Sequence, residues 1–224
     1  MKIDIMTLFP DMCEKVLSES IIGRAMKAGI IDIKCTNIRD FAGNKHNRVD
    51  DAPYGGGKGM VMQADPIYNC YQSLYNDDNK PHLIYMSPKG KTFTQKDALR
   101  LSKLDHIVLL CGHYEGVDQR VIDEIVDEEI SIGDYVLTGG ELPALVVADA
   151  VARMIPGVLA EDICFMEESH FDGLLEYPHY TRPEVWHGIS VPDVLLSGHH
   201  KNIEKWRKDK SLEVTKLRRP DMLE

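Results

Sequence analysis

Up to about residue 158, short apolar stretches alternate with segments of helical period, which restricts the fold to a largely parallel sheet covered on both faces. Strands are expected at residues 2–9, 30–38, 82–86, 106–111 and 129–132. Helices are expected at 10–28 (closed by Gly29), 65–75, 94–104 with Thr94 as cap, 117–128 and 144–155. Residues 87–90, SPKG, carry turn chemistry that stops the third strand, and residues 40–59 form a long polar, glycine-rich loop. Composition changes after Pro156 and Gly157. The chain is read as a domain over 1–160, an acidic linker over 161–170 and a small helical domain over 171–224, with helices near 191–198 and 202–212 and Trp206 as a packing anchor.

Three strand ends carry glycine or proline: Tyr85-Met-Ser-Pro88, Gly112-His-Tyr-Glu-Gly116 and the stretch IGDYVLTGGELP over 132–143. In an open parallel sheet, loops leaving the carboxyl ends of neighbouring strands converge on one edge, where ligands bind. Gly133, Gly139 and Gly140 would permit close backbone approach, and Pro143 suits a first helical turn. An ordinary strand-to-helix connection explains any one of these loops. Three converging loops describe a pocket. A nucleotide hydrolase is a weakened alternative that ATP or GTP turnover would revive, because Gly55-Gly-Gly-Lys58 has Ala52 and Gly59 where a phosphate loop needs glycine and serine or threonine. No GxGxxG follows a strand either, so a standard dinucleotide fold is disfavoured.

The five cysteines are dispersed without a CxxC pair and the nine histidines show no HExxH spacing, which argues against a disulfide framework or a zinc centre. No run is apolar enough to span a bilayer, and a cytoplasmic location is expected. Net charge is −10, unfavourable by itself for a nucleic-acid partner. It is unevenly spread, however. Residues 199–219 hold eight Lys or Arg against three acids, a net +5 that leaves −15 elsewhere. Such a stretch is either a solvated helix laced with ion pairs or a local grip on phosphate.

Four long motifs occur in order: DDAPYGGGKGM at 50–60, LCGHYEGVD at 110–118, the 132–143 stretch and GLLEYPHYTRP at 173–183, followed by LLSG at 195–198 and LRRP at 217–220. Together they resemble the bacterial tRNA (guanine-N(1))-methyltransferase family of the SPOUT class over nearly the whole chain. The resemblance implies a SPOUT-type α/β fold, a parallel sheet with a deep trefoil knot, joined to a small all-helical carboxyl-terminal domain. It implies a homodimer whose active site is shared between subunits, S-adenosylmethionine as methyl donor, the anticodon arm of tRNA as partner and guanosine 37 as target. A magnesium requirement is also implied, with no ligand residue assignable. By likeness the donor is held by Tyr85, Met86, Ser87, Pro88, Gly112, Tyr114, Gly116, Ile132, Gly133, Asp134, Tyr135, Val136, Leu137, Gly139, Gly140 and Pro143.

Methylating a ring nitrogen that bears a proton requires a general base, and a fixed cation stabilises the negative charge that grows on the neighbouring carbonyl oxygen. By likeness the cation is Arg153, although Asp149 stands i−4 from it and could simply pair with it. The family usually has an aspartate as base in an Asp-Ser-Phe segment. Aligned back from Gly173, that place holds Glu168 within EESHFD at 167–172, with Asp172 and His170 as alternatives. Glu115 would accept hydrogen bonds from the guanine edge. His179, Tyr180, Arg182, Lys201 and Lys205 would stack on and contact the anticodon arm. The rivals are a knotted methyltransferase acting on another RNA position and a non-catalytic RNA-binding relative.

Overall fold

The computed structural model describes residues 1–76, 79–160 and 168–223. It divides into two compact units, Met1–Asp162 and Ile163–Glu224. Most of the linker expected at 161–170 (residues 161–167, including Cys164) lies outside the described residues.

The first unit runs β1 (Lys2–Thr7), α1 (Pro10–Leu17), α2 (Ser20–Lys27), β2 (Asp32–Asn37), β3 (Asp50–Asp51), β4 (Val61–Met62), α3 (Ala64–Gln72), β5 (His82–Thr92), α4 (Gln95–Leu101), β6 (His106–Cys111), α5 (Gln119–Ile125), β7 (Glu128–Ser131) and α6 (Glu141–Ala152). Its main sheet has the order β2-β1-β6-β5-β7, and all four pairings are parallel. This is a mixed α/β architecture around a five-stranded parallel sheet. Both faces are covered, so the central strands read as continuous apolar runs: Ile107 to Cys111 of β6 are wholly buried. Helices α3 and α5 pack together over one face, with Met6, Ile67, Tyr71, Leu83, Leu110 and Val121 in a common core. On α6 the buried apolar residues are Ala144, Leu145, Val147, Ala148, Val151 and Ala152, and this helix packs against α1, α4, β1 and β6.

Two expectations are corrected locally. The helix over 10–28 is broken into α1 and α2, because Ser18 turns its hydroxyl onto the Lys15 carbonyl at 3.1 Å and Ser20 adopts φ +53°. The third strand does not stop at Met86. β5 loops out over Ser87–Gly90 and resumes against β7, with Met86 and Lys91 both facing Ile130. Thr94 caps α4 as expected, in a reciprocal capping box with Asp97.

The second unit contains β8 (Val185–Trp186), β9 (Ile189–Ser190), α7 (Asp193–Leu196) and α8 (His200–Arg218). It is therefore not all-helical. β8 and β9 form a hairpin around His187 (φ +49°) and Gly188 (φ +80°), the pair of positive φ values that a two-residue type I′ loop needs. Short strands flanking one His-Gly pair are too brief for a periodicity signal. The motif GLLEYPHYTRP is tied to α8 through Thr215, whose hydroxyl accepts the Leu175 N–H at 2.8 Å and donates to the Ser211 carbonyl at 2.7 Å.

Candidate active site

The ends of β6, β5 and β7 are adjacent in the sheet, and the loops that leave them enclose a cavity of about 280 Å³. Of the sixteen residues assigned by likeness to the methyl donor, fifteen line this cavity. Asp134 lies in the same turn, is exposed and is not among the lining residues.

Each wall has a local cause. The first is the Ser87–Gly90 excursion of β5, where the Ser87 hydroxyl accepts the Lys89 N–H at 3.2 Å. Gly90, read from the sequence only as part of a turn, crosses the β7 backbone so closely that a Cβ would stand 2.5 Å from the Glu129 carbonyl oxygen. The second wall is the turn after β6. Tyr114 takes φ +59° and Gly116 φ +127°, and the turn is stitched to the glycine-rich loop by Glu115 N–H to Met60 O (3.0 Å) and Met62 N–H to Gly116 O (2.9 Å). Glu115 itself lines the cavity and packs against Gly59, where a Cβ would meet its Oε1 at 2.5 Å.

The third wall, residues 132–143, begins with a tight turn in which Ser131 Oγ donates to the Gly133 carbonyl at 2.9 Å. It ends where α6 starts. There Gly140 donates its N–H to the Gly112 carbonyl (2.9 Å), and His113 pairs with Gly139 across an antiparallel bridge. Tyr135, Val136 and Leu137 between these ends are exposed, Val136 at 82%. Pro143 falls at the third residue of α6, where no amide hydrogen is required.

Sequence reasoning missed the group that locks the second and third walls together. Glu141, 3% exposed in the first turn of α6, accepts the Thr7 hydroxyl on Oε1 at 2.7 Å and meets His113 Nε2 with Oε2 at 3.0 Å. The His113 ring packs at 5.0 Å on Phe9. Position in a helix first turn suits an acid, but only the fold supplies partners 134 and 28 residues away. Glu141→Ala is expected to strand the Thr7 hydroxyl and the His113 ring. The cost is about 2 kcal/mol of stability, readable as a lowered midpoint in urea, and Glu141→Gln should recover much of it.

The lining is poor in charge. Burial, followed by Glu129, pushes the Tyr85 phenol up to about 12 against the opposing Val117 N–H, so its hydroxyl stays neutral. The wholly buried Cys111 thiol is pushed well up by burial, with Glu141 and Cys13 adding to it. Such a surface reads shape and hydrogen-bond edges rather than net charge. Among the described residues no group of three or more His, Cys, Asp or Glu could hold a metal ion, and no helix is long and apolar enough to cross a membrane.

Arg153 caps the carboxyl end of α6, half-buried, with its N–H on the Asp149 carbonyl at 3.0 Å. Glu168 belongs to the second unit, in a compact turn held by Phe171 N–H to Glu168 O (3.4 Å), His170 N–H to Leu174 O (2.9 Å) and Glu176 N–H to Ser169 Oγ (2.9 Å). In the same unit His179, Tyr180, Arg182, Lys201 and Lys205 are all exposed, and His179 also pairs with Glu176 at 2.8 Å.

A parallel sheet with a glycine-rich cavity at its carboxyl edge defines an α/β protein of the open-sheet class, whose strand-end loops form its candidate ligand site. The tRNA (Guanine-1)-methyltransferase TrmD family model matches residues 1–224, and the chain belongs to that family. It is 57% identical over 223 residues to the tRNA (guanine-N(1)-)-methyltransferase of Ruminiclostridium cellulolyticum, covering 99% of this chain and 96% of that one. It is 60% identical to the enzyme of that name from Alkaliphilus oremlandii (100% and 92% covered) and 54% identical to that of Clostridioides difficile (99% and 97%).

Proposed function

We propose that this protein transfers a methyl group from S-adenosylmethionine to N1 of guanosine 37, beside the anticodon of tRNA. The observation that carries this reading is the pocket built from three strand-end loops in a chain that matches the methyltransferase family from end to end. The pocket fits the donor: glycines bring backbone N–H and C=O groups to the cavity edge, and Tyr85, Leu137 and Pro143 offer apolar surface to an adenine face. When bound, the donor supplies an electrophilic methyl on sulfonium.

The chain supplies the rest. Glu168 takes the N1 proton, and Arg153 stabilises the charge developing on the guanine carbonyl oxygen. Glu115 accepts from the guanine edge. Tyr180 and His179 stack, and Arg182, Lys201 and Lys205 contact phosphate. No step is routed through magnesium, for which no ligand residue is assigned.

We further read the first unit as knotted and the protein as a cytoplasmic homodimer with a shared active site, and residues 1–160, 161–170 and 171–224 as catalytic domain, linker and tRNA-binding domain. Support for the dimer comes from apolar side chains left exposed on two mutually packed helices: Met12 and Val16 on α1, Leu142 and Val146 on α6, each 42% to 56% exposed. The test is transfer of labelled methyl to an unmodified tRNA transcript with guanosine at position 37, beside one with adenosine there. Label on the first alone is expected. Label on both would move the target to another RNA position, and none would favour a non-catalytic binder.

A further inference from the structure

Resting on the reading of this chain as a tRNA-modifying enzyme, we propose that the cleft between Tyr180 and the β8–β9 hairpin is a stacking site for one unpaired nucleobase of the tRNA, with Trp186 as its platform. The cleft encloses about 140 Å³ and is lined by Tyr180, Pro183, Trp186, Ile189 and Val191, with Thr181, Glu184 and Ser190 as polar groups. Its size suits a single planar ring system rather than a helix or a strand.

The apolar groups here are not turned inward. Trp186 is 63% exposed, Ile189 66% and Tyr180 48%, on a hairpin too short to need them for a core of its own. His187 stands edge-on to the Trp186 indole at 4.4 Å and stiffens it. A rigid, exposed indole beside a second aromatic ring is how unpaired bases are held, because every base offers a π-face.

Charge identifies the occupant as part of a polyanion. Tyr180 also packs at 6.3 Å against Trp206, a residue of the lysine- and arginine-rich helix α8, so the cleft continues into the basic surface. Lys210 of that helix lies within electrostatic reach of the Tyr180 hydroxyl, and exposed Arg182 sits in the chain between the cleft residues Thr181 and Pro183. Phosphates flanking an inserted base would meet these cations. Glu184 supplies an acceptor for an exocyclic amino group, and Thr181 and Ser190 can donate or accept.

The chain has two tryptophans, Trp186 and Trp206, so W206F leaves the indole at 186 as the sole tryptophan reporter. Titrating full-length W206F with an unmodified tRNA transcript is expected to quench its emission, while a blunt RNA duplex without unpaired bases leaves it unchanged. In the otherwise natural chain, W186A is expected to raise the Kd for tRNA about tenfold, with W186F restoring most of it and S-adenosylmethionine affinity unaltered throughout. Full tRNA affinity in W186A together with unquenched emission would overturn the stacking site alone. Failure of the unaltered protein to bind tRNA would overturn the functional reading as well. Emission that changes with protein concentration and not with RNA would give the cleft to a second copy of the chain, which also overturns the proposal.

Discussion

Replacing Glu168 with alanine is expected to lower methyl transfer to tRNA by about 10²- to 10⁴-fold while S-adenosylmethionine still binds. The reacting nitrogen carries a proton in neutral guanine, so the methyl cannot be delivered until a base accepts that proton or does so in the same step. Glu168 belongs to the second unit and is not among the residues that line the donor pocket. Donor binding is therefore the readout expected to survive its removal. Glu168→Asp shortens the reach by one methylene but keeps the carboxylate, and it should retain part of the rate. His170 and Asp172, exposed two and four residues further along, are the controls. Wild-type turnover in Glu168→Ala with loss in Asp172→Ala or His170→Ala would move the base, and single-turnover transfer measured beside donor binding by calorimetry decides between them.

What could be read from the sequence follows from how local each determinant is. The three cavity loops were legible because the glycines that follow β6 and β7, such as Gly112 and Gly133, announce a loop through the residue itself, whereas the individual donor contacts were assigned by family likeness. Adjacency of the three loops then follows from the rules of parallel sheets. The continuation of β5 to Thr92 was not legible. Ser87-Pro88-Lys-Gly90 is turn chemistry, and only pairing of Lys91 and Thr92 with β7 carries the strand on beyond it. Glu141 illustrates the same limit more sharply. Its partners lie on β1 and after β6, so a buried carboxylate on an apolar helix looks anomalous until the chain is folded. The hairpin of the second unit escaped notice because two-residue strands have no period to detect.

Gly140→Ala is expected to cost both stability and donor binding, for a reason that is spatial rather than conformational. Gly140 has φ −82°, a value open to any residue, so alanine imposes no backbone strain. Its added Cβ would, however, stand 2.6 Å from the Cys111 Cα and 2.9 Å from the Gly112 nitrogen. Both are backbone atoms at the end of a central strand and cannot rotate aside. The start of α6 must move outward instead. That motion stretches the 2.9 Å bond from Gly140 N–H to the Gly112 carbonyl and carries Glu141 away from Thr7 and His113. Overpacking of this kind costs about 1–3 kcal/mol, or roughly 2–12 °C in melting temperature for a chain of this size. Because two cavity walls separate, S-adenosylmethionine affinity should fall at least about tenfold. Gly29→Ala provides the contrast. Gly29 has φ +71° with nothing within 4 Å of an added Cβ, so alanine there should cost about 1 kcal/mol and leave donor affinity unchanged. Thermal melts with and without the donor separate the two variants. Equal donor stabilisation in Gly140→Ala and Gly29→Ala would show that the junction of Gly112 with Gly140 does not shape the pocket.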